Sequence, residues 1–296
     1  MSRTKANVLL LLVAIFWGTT FVASKIALNT FSPLFIISIR FILALVFMGV
    51  LFHKDLASIN KHDIVGGAVV GLVLFVAFFM QLFALNYTDP GKQSFLAGTY
   101  VIFVPFMMWM ITRKRPSNHS FLGAFMCFVG ISLLTLNQAF SMSLGDSITI
   151  ASSVFFALHI ITTDYFLKKS SPSKLTFIQF ATVAILSTVA LFATESLPTS
   201  FSMTSLLPML YLGIVCTGLA YFLQTYAQQF AKSTHTAIIL SLEAVFGSLL
   251  AIVIVGEVFT PKMILGSLII LASILIVEIK SGKEASEVDN KEEMAS

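Results

Sequence analysis

Ten apolar runs, each long enough to cross a bilayer, take up almost the whole chain and leave few folds open to it. Their approximate limits are 6–28, 34–52, 64–86, 93–112, 121–137, 145–167, 175–194, 206–227, 235–255 and 262–279. A spanning helix needs about 20 mostly apolar residues, whereas a membrane barrel is written in alternating segments of about 10. Continuous runs therefore predict an all-α integral membrane protein with ten transmembrane helices. Composition agrees, because 57% of the 296 residues are hydrophobic and only 11% are charged. A soluble core cannot bury that much apolar surface, so lipid must act as solvent. Arg3 and Lys5 precede the first run as in a signal peptide. That run is long, however, carries Trp17 at its middle and lacks a clear small-residue cleavage site, so it reads as a retained helix. Cys127 and Cys216 fall inside runs and imply no disulfide framework.

Eight residues occur twice. Ala77–Ala84 reads AFFMQLFA and, 143 positions later, Ala220–Ala227 reads AYFLQTYA. The same offset carries Phe103 to Phe246, Gly123 to Gly266 and Tyr100 to Glu243. It also sets Arg113-Lys114-Arg115 against Gly256-Glu257-Val258, so a loop that is cationic in the first half has lost its cations in the second. Cytoplasmic loops collect Lys and Arg. With the N-terminus inside, 14 of the 18 Lys and Arg residues fall on the cytoplasmic side, Lys25, Lys92 and Lys262 fall outside, and Arg40 lies within a span. Five spans per half make the second half enter the membrane from the opposite side. The expected organisation is a first five-helix repeat over 1–140, an inverted second repeat over 141–281 and a disordered cytoplasmic tail over 282–296. Both termini are expected in the cytoplasm of a cell with the chain in its inner or plasma membrane.

Ionisable groups inside a membrane are expensive and are functional candidates by default. Arg40 lies about two turns from the outer end of its span and must face the bundle, a cavity or a carboxylate. A clamp between helices and a substrate contact both fit. Glu243 is the carboxylate nearest the middle of any span, and a carboxyl at that depth either pairs with a cation or takes up a proton. Arg40, His159 and a substrate amine are the available partners. Trp17, Tyr100 and Tyr221 offer aromatic walls. Gln81 and Gln224, the amides of the repeated stretch, read as equivalent outer and inner elements about 20 Å apart, at 1.5 Å of rise per residue. Gly67-x-x-x-Gly71 is a helix-packing signal, and Pro105 predicts a kink in the fourth span.

Inverted repeats with a site at their interface are the architecture of many secondary transporters. The ten-span pattern, the Phe16-Trp17-Gly18 region and the Gly256-Glu257 turn followed by Gly266 resemble the EamA family of the drug/metabolite transporter superfamily. That resemblance implies five plus five inverted helices, an inner-membrane location and export of amino acids or other small metabolites. Many relatives carry proline soon after the position of Glu243, whereas Ala244 follows here. The expected function is a secondary transporter of small organic metabolites such as amino acids or amines, working by alternating access with an option of proton coupling. Its expected substrate-binding residues are Trp17, Gln81, Tyr100, His159, Tyr221, Gln224 and Glu243, with charge pairing or coupling through Arg40, Glu243 and His159. An uncoupled uniporter or exchanger and a membrane-embedded enzyme acting on a lipid-linked substrate are the alternatives. The enzyme would need clustered acids or histidines, yet His53, His62, His119 and His235 are scattered without metal spacing. No catalytic residue, metal or cofactor is expected. The expected partners are a small-molecule substrate, the lipid bilayer and, optionally, a second copy in a homodimer, with no nucleic acid.

Overall fold

The computed structural model describes residues 3–135, 142–195, 197–198, 203–231, 233–273 and 276, so the expected tail lies outside the described residues. All regular structure among them is helical. The first half holds α1 (Arg3–Leu28), α2 (Pro33–Leu56), α3 (Lys61–Ala84), α4 (Pro90–Ala97), α5 (Tyr100–Thr112) and α6 (Asn118–Thr135). The second half begins with α7 (Leu144–Leu167), α8 (Pro172–Thr194) and α9 (Met203–Tyr211). A π-helical turn over Leu212–Leu219 then runs into α10 (Ala220–Gln228). Beyond it lie α11 (Ser233–Leu240), α12 (Glu243–Leu250), a second π turn over Ala251–Val255 and α13 (Pro261–Ser273). Where consecutive pieces join, they form long spans. Among the described residues, 8 helices are long and apolar enough to cross a membrane, and α6 and α13 are shorter apolar helices.

Local chemistry sets where these helices begin. Proline occupies the first turn of α2, α4 and α8, where its missing N–H would have had no partner in any case. Asn60 and Asp63 cap α3 reciprocally, and Ser143 caps α7 by accepting from the Asp146 N–H. Helix ends are matched across the 143-residue offset. Arg113 (φ 60, ψ 10) and Gly256 (φ 74, ψ 25) both adopt the left-handed conformation that stops their helices. Glycine adopts it freely, while arginine accepts about 1 kcal/mol of strain.

Packing is closest where side chains are absent. A Cβ on Gly71 would lie 2.6 Å from Thr182 Cβ and 2.7 Å from the Gln179 carbonyl oxygen, so α3 meets α8 through the Gly67/Gly71 face, as the spacing predicts. Gly130 of α6 and Gly266 of α13 cross backbone to backbone in the same manner. α1 packs against α9, α10, α11 and α12, while α2 packs against α8 and the first π turn. Val50, Met110, Phe125, Phe128 and Val253 stand well exposed on the outside of this bundle. A belt of that kind is stable only against lipid, and the chain is a multi-pass membrane protein. Thr149, Thr162, Ser187 and Thr225 turn their hydroxyls back to the carbonyls of Gly145, Leu158, Val183 and Tyr221. Such polar residues are already satisfied within their own helices.

The fourth span carries a break besides Pro105, where a kink was expected. The span is interrupted at Gly98–Thr99, ahead of the proline, which itself lies within regular α5. Its counterpart is interrupted at Ser241–Leu242, 143 residues on, where the position matching Pro105 is Ser248. Proline is therefore not the cause. Both breaks are 3₁₀ turns with the same bonds: Thr99 N–H to Leu96 O (3.3 Å) and Val101 N–H to Gly98 O (3.3 Å), matched by Leu242 to Ile239 (3.3 Å) and Ala244 to Ser241 (3.1 Å). Thr99 Oγ1 and Ser241 Oγ tighten them by donating to the carbonyls of Leu96 and Ile238, each at 2.6 Å. The residues that follow the two breaks are Tyr100 and Glu243.

Candidate functional site

A cavity lies where α1, α2, α3, α7 and α10 surround these two breaks. Trp17, Thr20, Phe21, Arg40, Phe78, Gln81, Tyr100, Phe156, His159, Ile160, Tyr221 and Glu243 line it. Its volume is about 30 Å³. That is room for about two waters, so the site is contracted around its own side chains. Two roomier crevices, of about 420 and 480 Å³, open on the flanks of the bundle. Their polar groups are already engaged, Thr19 with Tyr211 (2.7 Å) and Glu195 with Ser32.

Tyr221 is the hub of the cavity wall. Its ring lies 4.7 Å from Trp17, 5.7 Å from His159 and 6.0 Å from Phe78, centroid to centroid. Trp17 is held by donating Nε1–H to the Cys216 carbonyl at 3.1 Å. Cys216 sits in the first π turn, whose wider hydrogen-bond register supports that placement. His159 Nε2 meets Gln179 Oε1 at 3.1 Å and is thereby fixed against α8. Gln81 is positioned through its backbone, whose carbonyl accepts from Gln93 Nε2 at 2.8 Å. Its side chain remains on the cavity wall.

The guanidinium of Arg40 and the carboxyl of Glu243, both on the cavity, do not pair with each other. The ion pairs within 4 Å among the described residues are Lys92–Asp146 and Lys174–Asp63. Tyr100 Oη faces the Glu243 carboxyl without completing a hydrogen bond of ordinary geometry. Tyr221 stands within electrostatic reach of both Arg40 and Glu243. A buried charge without a partner costs several kcal/mol. Arg40 and Glu243 thus face one cavity with no ion pair of their own within 4 Å among the described residues.

Polar clusters tie the helices together at both ends of the bundle. At the end where α4 and α7 begin, Lys92 Nζ pairs with Asp146 at 2.7 Å, Thr88 Oγ1 donates to the same carboxylate at 2.7 Å, and Lys25 Nζ donates to Leu85 O at 2.8 Å. Glu257 joins this end by accepting from the N–H groups of Gly91 (2.8 Å) and Lys92 (3.2 Å). Burial raises the Glu257 carboxyl above its ordinary pKa, and the Gly91 N–H opposes that rise. At the opposite end Asn7 Oδ1 meets His235 Nε2 at 2.9 Å, and Gln228 Nε2 donates to Ile160 O at 2.6 Å.

Of the residues expected at the site, Trp17, Arg40, Gln81, Tyr100, His159, Tyr221 and Glu243 come together on one cavity. Gln224 is not in that lining. It is fully buried and donates Nε2–H to Gln228 Oε1 at 2.9 Å, one turn along its own helix. Phe78 escaped the sequence reading although the repeat held a signal for it, since 143 residues separate it from Tyr221. Phe21 and Phe156 carried no such mark among 29 phenylalanines.

Comparison with known proteins gives this cavity a context. The profile of the EamA-like transporter family matches residues 4–136 and, a second time, residues 143–279. A protein of Archaeoglobus fulgidus named as an uncharacterized transporter is 30% identical over 95% of this chain and 88% of its own length. A probable amino-acid metabolite efflux pump of Salmonella typhimurium is 26% identical over 93% of this chain and 95% of its own. A protein of the same name from Escherichia coli is 25% identical over the same shares. One solved crystal structure superposes with a TM-score of 0.73 at 16% identity, covering 95% of this chain and 99% of that one, which speaks for the fold alone.

Proposed function

The chain belongs to the EamA-like transporter family, and on that premise we propose that it is a secondary transporter of small amine-bearing metabolites, amino acids among them, acting as an exporter. Glu243 carries this reading. It places a buried carboxyl at a break in a membrane helix, on a cavity walled by Trp17 and Tyr221. An ammonium group is the cation such a site is suited to, with the aromatic faces adding cation–π attraction. Export as the direction is supported by the efflux pumps of similar sequence.

Alternating access fits the molecule as follows. We read the ten helices as two five-helix inverted repeats, 1–140 and 141–281, with both termini cytoplasmic. Support comes from the paired breaks before Tyr100 and Glu243 and from the paired helix stops at Arg113 and Gly256. Rocking one repeat against the other would open the Lys92–Asp146 end or the Asn7–His235 end in turn. With the polar contacts at both ends formed, we read the present state as a contracted intermediate between them. Glu243 would alternate between a substrate ammonium and a proton, which supplies a route to proton coupling. The thermal stability of the purified protein against single amino acids and simple amines tests this function. Members of one of these classes should stabilise the wild type and fail to stabilise Glu243→Gln. Equal stabilisation of both proteins, or none by any compound of the two classes, would contradict the proposal.

A further inference from the structure

Arg40 is fully buried, yet only part of its guanidinium is in use. Nε donates to Thr217 Oγ1, and the guanidinium carbon lies 4.6 Å from the Phe78 ring centroid. Nη1 has no hydrogen-bond partner, and no ion pair within 4 Å among the described residues involves Arg40. Thr217 is itself held: its hydroxyl donates to Leu212 O at 2.7 Å, five residues back across the π turn. The hydroxyl proton is thus committed to Leu212, and the oxygen is left to accept from Arg40.

A residue whose task was only to clamp α2 to the π turn would be complete with the Nε bond and would spend its terminal nitrogens on backbone carbonyls. Here Arg40 lines the same cavity as Glu243, with a terminal nitrogen unanswered. An orphaned, charged donor in a buried site is costly, and because Arg40 lines the cavity a bound solute can supply the acceptor. Guanidinium matches a carboxylate through short charge-assisted hydrogen bonds.

We infer that Arg40, set by Thr217, is the seat for a substrate carboxylate. This rests on reading the cavity as the substrate site, and it narrows the substrate from amines in general to zwitterions with one carboxylate and one ammonium. The carboxylate lies on Arg40 and the ammonium on Glu243, so that both buried charges are answered by one net-neutral solute. A simple amine leaves Arg40 unanswered. A phosphate ester brings two negative charges to a cavity that already holds Glu243.

Equilibrium binding to the purified full-length protein tests this, with each of the common neutral amino acids measured beside its decarboxylated amine and its deaminated acid. The tightest-binding amino acid should lose about 10- to 150-fold in affinity when its carboxylate is removed, the range of a hydrogen bond to a charged group. Arg40→Gln should weaken that amino acid by a similar factor and leave its amine unchanged. Thr217→Val should do the same in smaller measure, and Thr217→Ser should restore binding. A merely structural arginine would instead weaken amino acid and amine together. If amines bind the wild type as tightly as their amino acids, the carboxylate seat is overturned while the amine transporter stands. If no compound of the series binds, both readings are overturned. The wild-type comparison decides the matter even where Arg40→Gln fails to fold.

Discussion

Glu243→Gln should abolish high-affinity substrate binding and leave the protein at least as stable as before. Losing the charge that meets a substrate ammonium in a dry cavity costs about 3 kcal/mol or more, or about a hundredfold in affinity. Stability should move the other way. Glu243 has no cationic partner within 4 Å among the described residues, so the contracted state carries an uncompensated group that glutamine removes. A binding isotherm and a thermal unfolding curve on the same two preparations check both halves. Loss of binding accompanied by a large loss of stability would assign Glu243 to the scaffold.

The second large effect is expected at Gly18, one residue beyond Trp17. A Cβ there would overlap Phe246 Cβ and lie 3.0 Å from Gly247 N and 3.1 Å from Glu243 O. Backbone atoms cannot turn aside as a side-chain tip can. Gly18→Val must therefore push α1 away from α12, and with it Trp17 away from Glu243. Overpacking of this kind costs about 1–3 kcal/mol, read as a lower midpoint of thermal unfolding, and the displaced site should lose substrate binding as well. Gly256→Ala is the contrast. Nothing lies within 4 Å of a Cβ at Gly256, so only its left-handed backbone resists, and binding should survive. Unchanged stability and binding in Gly18→Val would show that the α1–α12 contact is looser than described.

Why was so much of this legible in the sequence? Membrane spans announce themselves because lipid removes every alternative to long apolar helices. The ionisable residues are legible for a related reason: Arg40, His159 and Glu243 are costly at those depths unless they face a shared interior. The breaks at Gly98–Thr99 and Ser241–Leu242 were hidden because a 3₁₀ turn needs no proline and looks like any apolar stretch with a small polar residue. Gln224 was misleading. Its equivalence to Gln81 in sequence is real, but Gln228 lies one turn further on and takes its amide, whereas the matching position in the first half is Leu85. Side-chain pairing of that kind depends on one neighbour and cannot be read from the repeat.

Movement of solute through the cavity is what a transporter of this kind must perform. Counterflow in proteoliposomes measures it directly: vesicles preloaded with a mixture of neutral amino acids are diluted into a trace of the same mixture carrying label, and accumulation is followed for wild type, Glu243→Gln and protein-free vesicles. Accumulation is expected in the wild type alone, with Glu243→Gln at the level of protein-free vesicles. Accumulation by Glu243→Gln equal to that of the wild type, or none above protein-free vesicles for either protein, would contradict the transporter reading.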